Sequence, residues 1–341
     1  MMACTNLLIC SVRIYISSMK TFLSGWQATN AERERKVAEH GYMKARCYSF
    51  AMIQSIPGMS YFLKGLQGAH DVSREFNIDI MMDSGVVSWR SFRNSLAKQG
   101  KTAALAKVCG EDEFIQLYVD YVKAHAHEWD IYITIDLERV ASSIYDRHCK
   151  IEAMGIKPVP VFHGDDSADI YVKKYADLGH KLMCLGSAHA LRTGQKSIRH
   201  YFASCFEAGA KYGMQFHGLA VTSPWGMLEF DWYSVDSSSW SRVAGYGGIQ
   251  LFDSVKNRMT TYHISERATS GNTDAKMNDR TQGLVREHVK ALGYDYDMMK
   301  QPDGEDAFVE RHKFNSRTMW ELTEAANKKH GVNTGKFNLL F

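Results

Sequence analysis

Eight short apolar runs recur along the first 240 residues, and they constrain the fold more than any other feature of this chain. They are Thr21 to Ser24, Arg46 to Ala51, Ile78 to Met82, Ile131 to Ile135, Pro158 to Phe162, Leu182 to Leu185, Met214 to Leu219 and Trp232 to Val235. Their apolar residues run continuously instead of alternating with polar ones, the pattern of strands buried on both faces of a parallel sheet. Parallel strands need crossover connections, and most of the gaps carry helical spacing. Glu113 to Trp129 places Phe114, Leu117, Tyr118, Tyr121, Val122 and His125 on one stripe. Asp166 to Leu178 stops at Gly179 and Ser197 to Tyr212 stops at Gly213, each glycine letting the chain turn back into the next strand. Strand and helix alternating eight times predict an α/β protein, a TIM-like (β/α)8 barrel with a C-terminal helical extension.

The gap from Pro224 to Trp232 is too short for a full crossover helix, so either the last unit is irregular or the strand count is off by one. Beyond Asp236 come Gly245-Tyr-Gly-Gly248, an apolar run Ile249 to Phe252, a polar segment from Ser265 to Asp279 that reads as a loop, and helical patterns over Arg280 to Leu292 and Ser316 to Lys329. The expected division is a disordered extension over 1–18, the barrel over 19–260, and a loop with C-terminal helices packing on the barrel over 261–341.

Forty-one Lys plus Arg against 38 Asp plus Glu leave a formal charge of +3, so no overall field draws in a polyanion, although a local basic face remains compatible with the composition. Cysteines 4, 10, 47, 109, 149, 184 and 205 include no C-x-x-C pair, and their odd number suits a reducing compartment, which reads as cytoplasmic. Residues 1–18 contain Arg13 and several polar residues and are too short to span a bilayer, so no membrane role is expected. Met19 opens Met-Lys-Thr-Phe-Leu-Ser-Gly25, which resembles a first strand and turn.

In such a barrel, chemistry belongs at the carboxyl ends of the strands. Reactive groups stand there repeatedly: Asp83 in Ile80-Met-Met-Asp-Ser-Gly85, Asp136, His163, Gly186, His217 and Asp236 in Trp232-Tyr-Ser-Val-Asp-Ser-Ser-Ser-Trp240. Each has a plain structural reading as well. Asp and Ser cap helices and turns, His163 with Asp165 and Asp166 could cap the following helix, His217 could be a satisfied core histidine, and the glycines could form turns. Neither His163 with Asp165 and Asp166 nor His189 with His200 has a recognised zinc spacing, so no metal is expected. No G-x-x-x-x-G-K-[ST] loop and no G-x-G-x-x-G after a strand is found, which weighs against nucleotide hydrolysis and dinucleotide redox chemistry; no cofactor is expected.

Between Lys20 and Phe252, the segments Met82-Asp-Ser-Gly85, Ile135-Asp136, Phe162-His-Gly164, Leu185-Gly186 and Tyr233-Ser-Val-Asp-Ser-Ser-Ser-Trp240 resemble the tRNA-guanine transglycosylase superfamily, and especially its short phage members that modify DNA. The resemblance implies a DNA-guanine transglycosylase, which expels guanine and installs a 7-deazaguanine on the same sugar through a covalent aspartyl intermediate. It implies Asp236 as nucleophile and Asp83 as general acid/base. Asp136, Gly186, Ser84, His163 and His217 would bind the base, and Arg242, Lys256, Arg258 and Arg267 would track the phosphates. Partners would be DNA and a free deazaguanine base, with a homodimer compatible and, for a phage enzyme, the host cytoplasm as location. Three departures accompany it. Val86-Val87 replace the family's Gly-Phe, leaving Trp89 or Tyr233 to stack on the base; His163 replaces a glutamine; and the zinc motif and added RNA-binding domains of the tRNA enzymes are not found, which favours DNA. The alternatives are a tRNA-guanine transglycosylase, a catalytically silent nucleic-acid-binding barrel subunit, and a carbohydrate hydrolase with the same two acids.

Overall fold

The computed structural model of the chain describes residues 18–25, 31–53, 56–59, 69–137, 140–163, 167–186, 195–265, 277–302 and 304–331. All eight expected strands form. They are β1 (Lys20–Leu23), β2 (Ala45–Ser49), β3 (Asp79–Asp83), β4 (Ile131–Tyr132), β5 (Val161–His163), β6 (Leu182–Gly186), β7 (Gln215–Leu219) and β8 (Ser234–Ser237). They pair in parallel in the order β4-β3-β2-β1-β8-β7-β6-β5. A parallel bridge between Ile133 and Val159 joins the two ends of that order, with the Thr134 amide donating to Val159 O at 3.0 Å and the Val159 amide to Tyr132 O at 2.9 Å. The sheet therefore closes into a (β/α)8 barrel, which leaves no free strand edge.

Helices fill the connections: α1 (Ala31–Ala38), then α2 (Phe50–Ile53) and α3 (Ala69–Glu75), then α4 (Val86–Lys98), α5 (Thr102–Leu105) and α6 (Glu111–His125). They continue with α7 (Ala141–Ala153), α8 (Ala168–Asp177), α9 (Gln195–Tyr212), α10 (Pro224–Glu229) and α11 (Ser239–Gly245). The short Pro224 to Trp232 gap holds the six-residue α10, so the last unit is the irregular one and the count of eight strands stands. Past α11 come an antiparallel hairpin of β9 (Gly248–Asp253) and β10 (Arg258–His263), then α12 (Asp279–Ala291), α13 (Tyr296–Lys300) and α14 (Glu305–Lys329).

Side chains alternate across each strand. Phe22, Cys47, Met81, Ile131, Val161 and Cys184 form an inner layer on the barrel axis, while Leu23, Phe162, Met183, Leu185, Phe216 and Val235 face outward into the helices. One outward position is ionic. Arg46 on β2 donates from Nε to Glu34 of α1 at 2.7 Å, with both side chains inaccessible to solvent.

The expected boundary at 260 falls inside β10, and the long C-terminal helix α14 packs on the barrel. Its Asn327 receives the Met19 amide at 2.7 Å and donates to Met19 O at 3.2 Å, and its Thr323 bonds Thr21 of β1 at 2.6 Å. Met319, Leu322 and Ala326 are buried in the same apolar cluster as Leu23, Val235 and Trp240. With only the seven-residue α11 after β8, α14 supplies the cover that a full eighth helix would give, and it contacts α1 on one flank and α10 on the other. The expectation of a disordered extension concerns residues that, apart from Ser18, lie outside the described ones, as does residue 266–276 of the expected loop.

Candidate functional site

The strand period of two carries the inner layer up to the carboxyl end of the barrel. Asp83 lies two residues beyond Met81, His163 two beyond Val161, Gly186 two beyond Cys184, and Asp236 two beyond Ser234. All four therefore face inward at the top. Their electrostatics show the convergence. Burial pushes the Cys47 thiol on the axis well above its ordinary range, reinforced by the charges of Asp236 and Asp83. Burial does the same to Cys184, with Asp236, Asp136 and Asp83 all adding to it. The three aspartates thus surround one point on the barrel axis.

Asp83 is pushed up from 3.8 to about 7. Burial is the largest cause, followed by the negative charges of Asp136 and Asp236, and the Gly85 and Ser84 amides act in the other direction. The Gly85 amide donates to Asp83 Oδ2 at 3.2 Å. Gly85 has φ +72° at the start of α4, and a Cβ there would stand 2.4 Å from the Ala51 nitrogen, so this turn requires glycine.

Asp236 is held from both sides. Ser24 Oγ donates to Oδ2 at 3.0 Å and the Ala220 amide to Oδ1 at 3.0 Å. Trp240 Nε1 donates to Ser24 O at 2.8 Å, which fixes the serine that positions the acid. Ala220 has φ +57°, a left-handed conformation costing a non-glycine residue about 1 kcal/mol, and here it aims an N–H at the Asp236 carboxylate.

Asp136 and His163 form a pair, with His163 Nε2 2.7 Å from Asp136 Oδ2 and both side chains mostly buried. Gly186 makes that pair possible, because a Cβ on it would lie 2.2 Å from both Cε1 and Nδ1 of His163. His163 Nδ1 is buried without a partner, and so are the hydroxyls of Ser49, opposite Asp83 on β2, and of Thr134. These are buried polar atoms without a protein partner.

Several expected roles change. His217 is wholly buried: its Nδ1 pairs with Ser234 Oγ at 2.8 Å and its Nε2 lies 3.4 Å from Asp236 Oδ1, so it packs behind Asp236 and is closed to solvent. Ser84 is fully buried, as Thr134 is, and its hydroxyl likewise makes no hydrogen bond. Trp89 is buried on α4, stacked on Phe114 at a centroid distance of 5.0 Å, with Nε1 donating to Cys109 O at 3.3 Å, and cannot cover a base. Tyr233 precedes β8 and packs at the opposite end of the inner layer. Val87, where the family carries an aromatic, is 71% exposed in the first turn of α4.

Of the expected phosphate contacts, Arg242 is exposed on α11, three residues into the helix that follows Asp236. Lys256 and Arg258 are at the tip of the β9–β10 hairpin. Along β9, Gly248 O accepts from Asn315 and Gln250 O from Thr318, so the hairpin runs with α14 toward Asn327, which is tied to the N-terminal end of β1. That direction carries Lys256 and Arg258 away from the acids, and Lys256 is paired with Asp253 at 3.5 Å. Arg267, Asp165, Asp166 and His189 lie outside the described residues.

Sequence reasoning missed Ser24 and Ser49. Both end a strand, as Asp83 does, and position alone would have singled them out. It also missed a three-donor cluster of His148, Glu152 and His180 away from the acids. A cleft of about 670 Å³ opens at the other end of the barrel, lined by Met19, Lys44, Asp79, Asp130, Trp320 and neighbours. It contains none of the converging aspartates, which make the carboxyl end the candidate site.

No family model and no curated protein matches the sequence. Among solved structures, the carboxyl transferase domain of Rhizobium etli pyruvate carboxylase is similar with a TM-score of 0.36 and 14% identity over 91% of this chain and 49% of that one. The same domain with pyruvate gives 0.35 and 13% over the same shares. The chain spans about half the length of those structures, and a likeness this slight carries nothing about activity.

Proposed function

We propose that the protein is a DNA-guanine transglycosylase, exchanging guanine for a 7-deazaguanine base at the carboxyl end of the barrel. The observation that carries this reading is the unequal pair Asp83 and Asp236: one carboxyl raised to about 7 by burial and by its neighbours' charges, the other fixed by a serine hydroxyl and a backbone amide. Two acids placed differently around one point suit a glycosidic substitution, in which one must bond to carbon while the other moves a proton.

In this mechanism an Asp236 oxygen attacks C1′ of the target nucleotide. The bond from C1′ to the purine nitrogen breaks, its electron pair goes to the departing base, and Asp83 gives that base a proton. In the return half, Asp83 takes a proton from the incoming deazaguanine, whose nitrogen then attacks C1′ and frees the Asp236 carboxylate. Atoms and protons balance over the cycle, and Asp83 ends protonated as it began. Asp136 would read the guanine edge with its remaining oxygen, since His163 occupies the other. The unpartnered Nδ1 of His163 and the hydroxyls of Ser49 and Thr134 would supply further polar contacts. The target base must be flipped out of a duplex or presented on a single strand.

The preference for DNA over tRNA rests on the sequence, in which no cysteine follows Cys205 to build the tRNA enzymes' zinc motif. Incubation with duplex DNA and, separately, with tRNA, each carrying labelled guanine, tests it: release from DNA is expected, and release from tRNA alone overturns the DNA reading. Asp236→Asn should abolish both release and the covalent adduct; unchanged exchange in that variant removes Asp236 as nucleophile. As the leaving base needs the protonated form of Asp83, the single-turnover rate of release should fall as pH rises through about 7.

A further inference from the structure

The helix α7 carries His148 and Glu152 one turn apart, so both point from the same face. The turn at Gly179, φ +84°, brings His180 back against them just before β6. His148 Nε2 is 3.1 Å from His180 Nε2, His180 Nε2 is 3.0 Å from Glu152 Oε1, and His148 Nε2 is 3.6 Å from Glu152 Oε1. Around a tetrahedral ion with bonds of roughly 2.05 Å, neighbouring donor atoms are separated by about 3.3 Å. The observed triangle has those dimensions.

We propose that His148, Glu152 and His180 bind one divalent zinc-class metal ion, at the end of the barrel opposite the aspartates, with a fourth position left to water. Glu152 Oε1 is buried and makes no hydrogen bond although His180 Nε2 is 3.0 Å away, and the two imidazoles meet Nε2 to Nε2 at 3.1 Å, so all three donor atoms crowd one point. His148 is wholly buried and His180 nearly so, and a convergence of ring nitrogens and a carboxylate away from water is costly unless a cation fills it.

The surroundings enclose the imidazoles. Tyr175 packs edge-on against His148 at a centroid distance of 5.3 Å and screens that side. Lys157 is the adverse charge. Its ammonium donates to Leu178 O at 3.3 Å, and Glu152 offsets it. An ion here would tie α7 to the start of β6, so the expected consequence is stability, independent of the base-exchange reading.

The test uses the full chain, freed of metal with a chelator and titrated with Zn2+ against a chromophoric competitor. One ion per chain should bind with Kd below about 10 µM, and a hundredfold excess over Kd should raise the thermal midpoint by roughly 5 °C. X-ray absorption of that complex should show nitrogen and oxygen neighbours at about 2.0–2.2 Å and no sulfur. Glu152→Gln and, separately, His180→Gln should weaken binding by at least about tenfold with an unchanged circular dichroism spectrum. Absence of Zn2+ binding to the unmodified chain, a sulfur-coordinated ion, or wild-type affinity in the folded variants overturns the proposal.

Discussion

Replacing Asp83 by Asn should make the protein more stable at neutral pH while abolishing exchange. In the folded chain Asp83 holds its proton up to about pH 7, whereas an unfolded aspartate releases it near 3.8. The folded state therefore binds the extra proton, and stability falls as pH rises between those values. Below pH 4 both states are protonated and nothing is lost. By pH 8 the full difference applies, which at 1.36 kcal/mol per pH unit is about 4 kcal/mol. Asp83 is only partly screened from solvent, since its side chain lies at the open end of the barrel, and water there reduces the figure to about 2 kcal/mol. Asparagine has nearly the same shape and no charge to bury, so the variant escapes this cost, and it also relieves the repulsion on Asp136 and Asp236. Urea unfolding from pH 4 to pH 8 measures it. The two proteins should have the same midpoint at pH 4 and should separate through pH 5–7, with the variant about 2 kcal/mol the more stable at pH 8. A constant offset across the range, or a variant less stable at pH 8, would refute the claim that Asp83 is a desolvated acid held protonated by its neighbours. A gain in stability coupled to a loss of turnover distinguishes a working acid from a turn-capping aspartate, whose removal only destabilises.

Gly186→Ala should displace the His163 ring, because the added carbon would stand 2.2 Å from it; base exchange should fall about 100-fold with little change in fold, and a near-wild-type rate would mean that the His163–Asp136 pair is not needed. Glu34→Leu should cost about 3–5 kcal/mol by stranding Arg46 in the core, whereas Glu34→Leu combined with Arg46→Met should recover most of that loss in the same urea assay; equal losses in the single and double variants would show that packing, not charge, sets the cost.

The barrel was legible because its information is local and repeated. Each strand is a run of consecutive apolar residues, and each run is followed by a helix whose stripe or terminal glycine is equally local. The aspartates were legible for a related reason: a side chain two positions beyond an inner-layer residue such as Met81 must share its face, so Asp83 points where Met81 points. The role of α14 is of another kind. It depends on Asn327 meeting Met19 and Thr323 meeting Thr21, contacts 308 and 302 residues apart along the chain, and no window of sequence contains both partners. The bond of Ser24 to Asp236 spans 212 residues as well: the serine's place at a strand end is local, its partner is not.

Trp89 shows a different failure, because its direction could have been read from the sequence. Once α4 begins at Val86, the residue three positions on lies on the same helical face, and Val86 and Trp89 are both buried while the intervening Val87 is exposed. An aromatic wanted at the mouth of the site must therefore share the face of Val87, not that of Trp89. Helical phase measured from Gly85 thus turns the tryptophan into the core and leaves Val87 exposed in its place. The cluster on α7 was open to the same reasoning: His148 and Glu152 are separated by four residues within one helix, a spacing that places two donors on one face before any fold is known. What the sequence could not supply was the third donor. His180 arrives from the turn after α8 only because β5 and β6 are neighbours in the barrel, and a pair of donors becomes a metal-sized triangle only when that tertiary neighbour is in place.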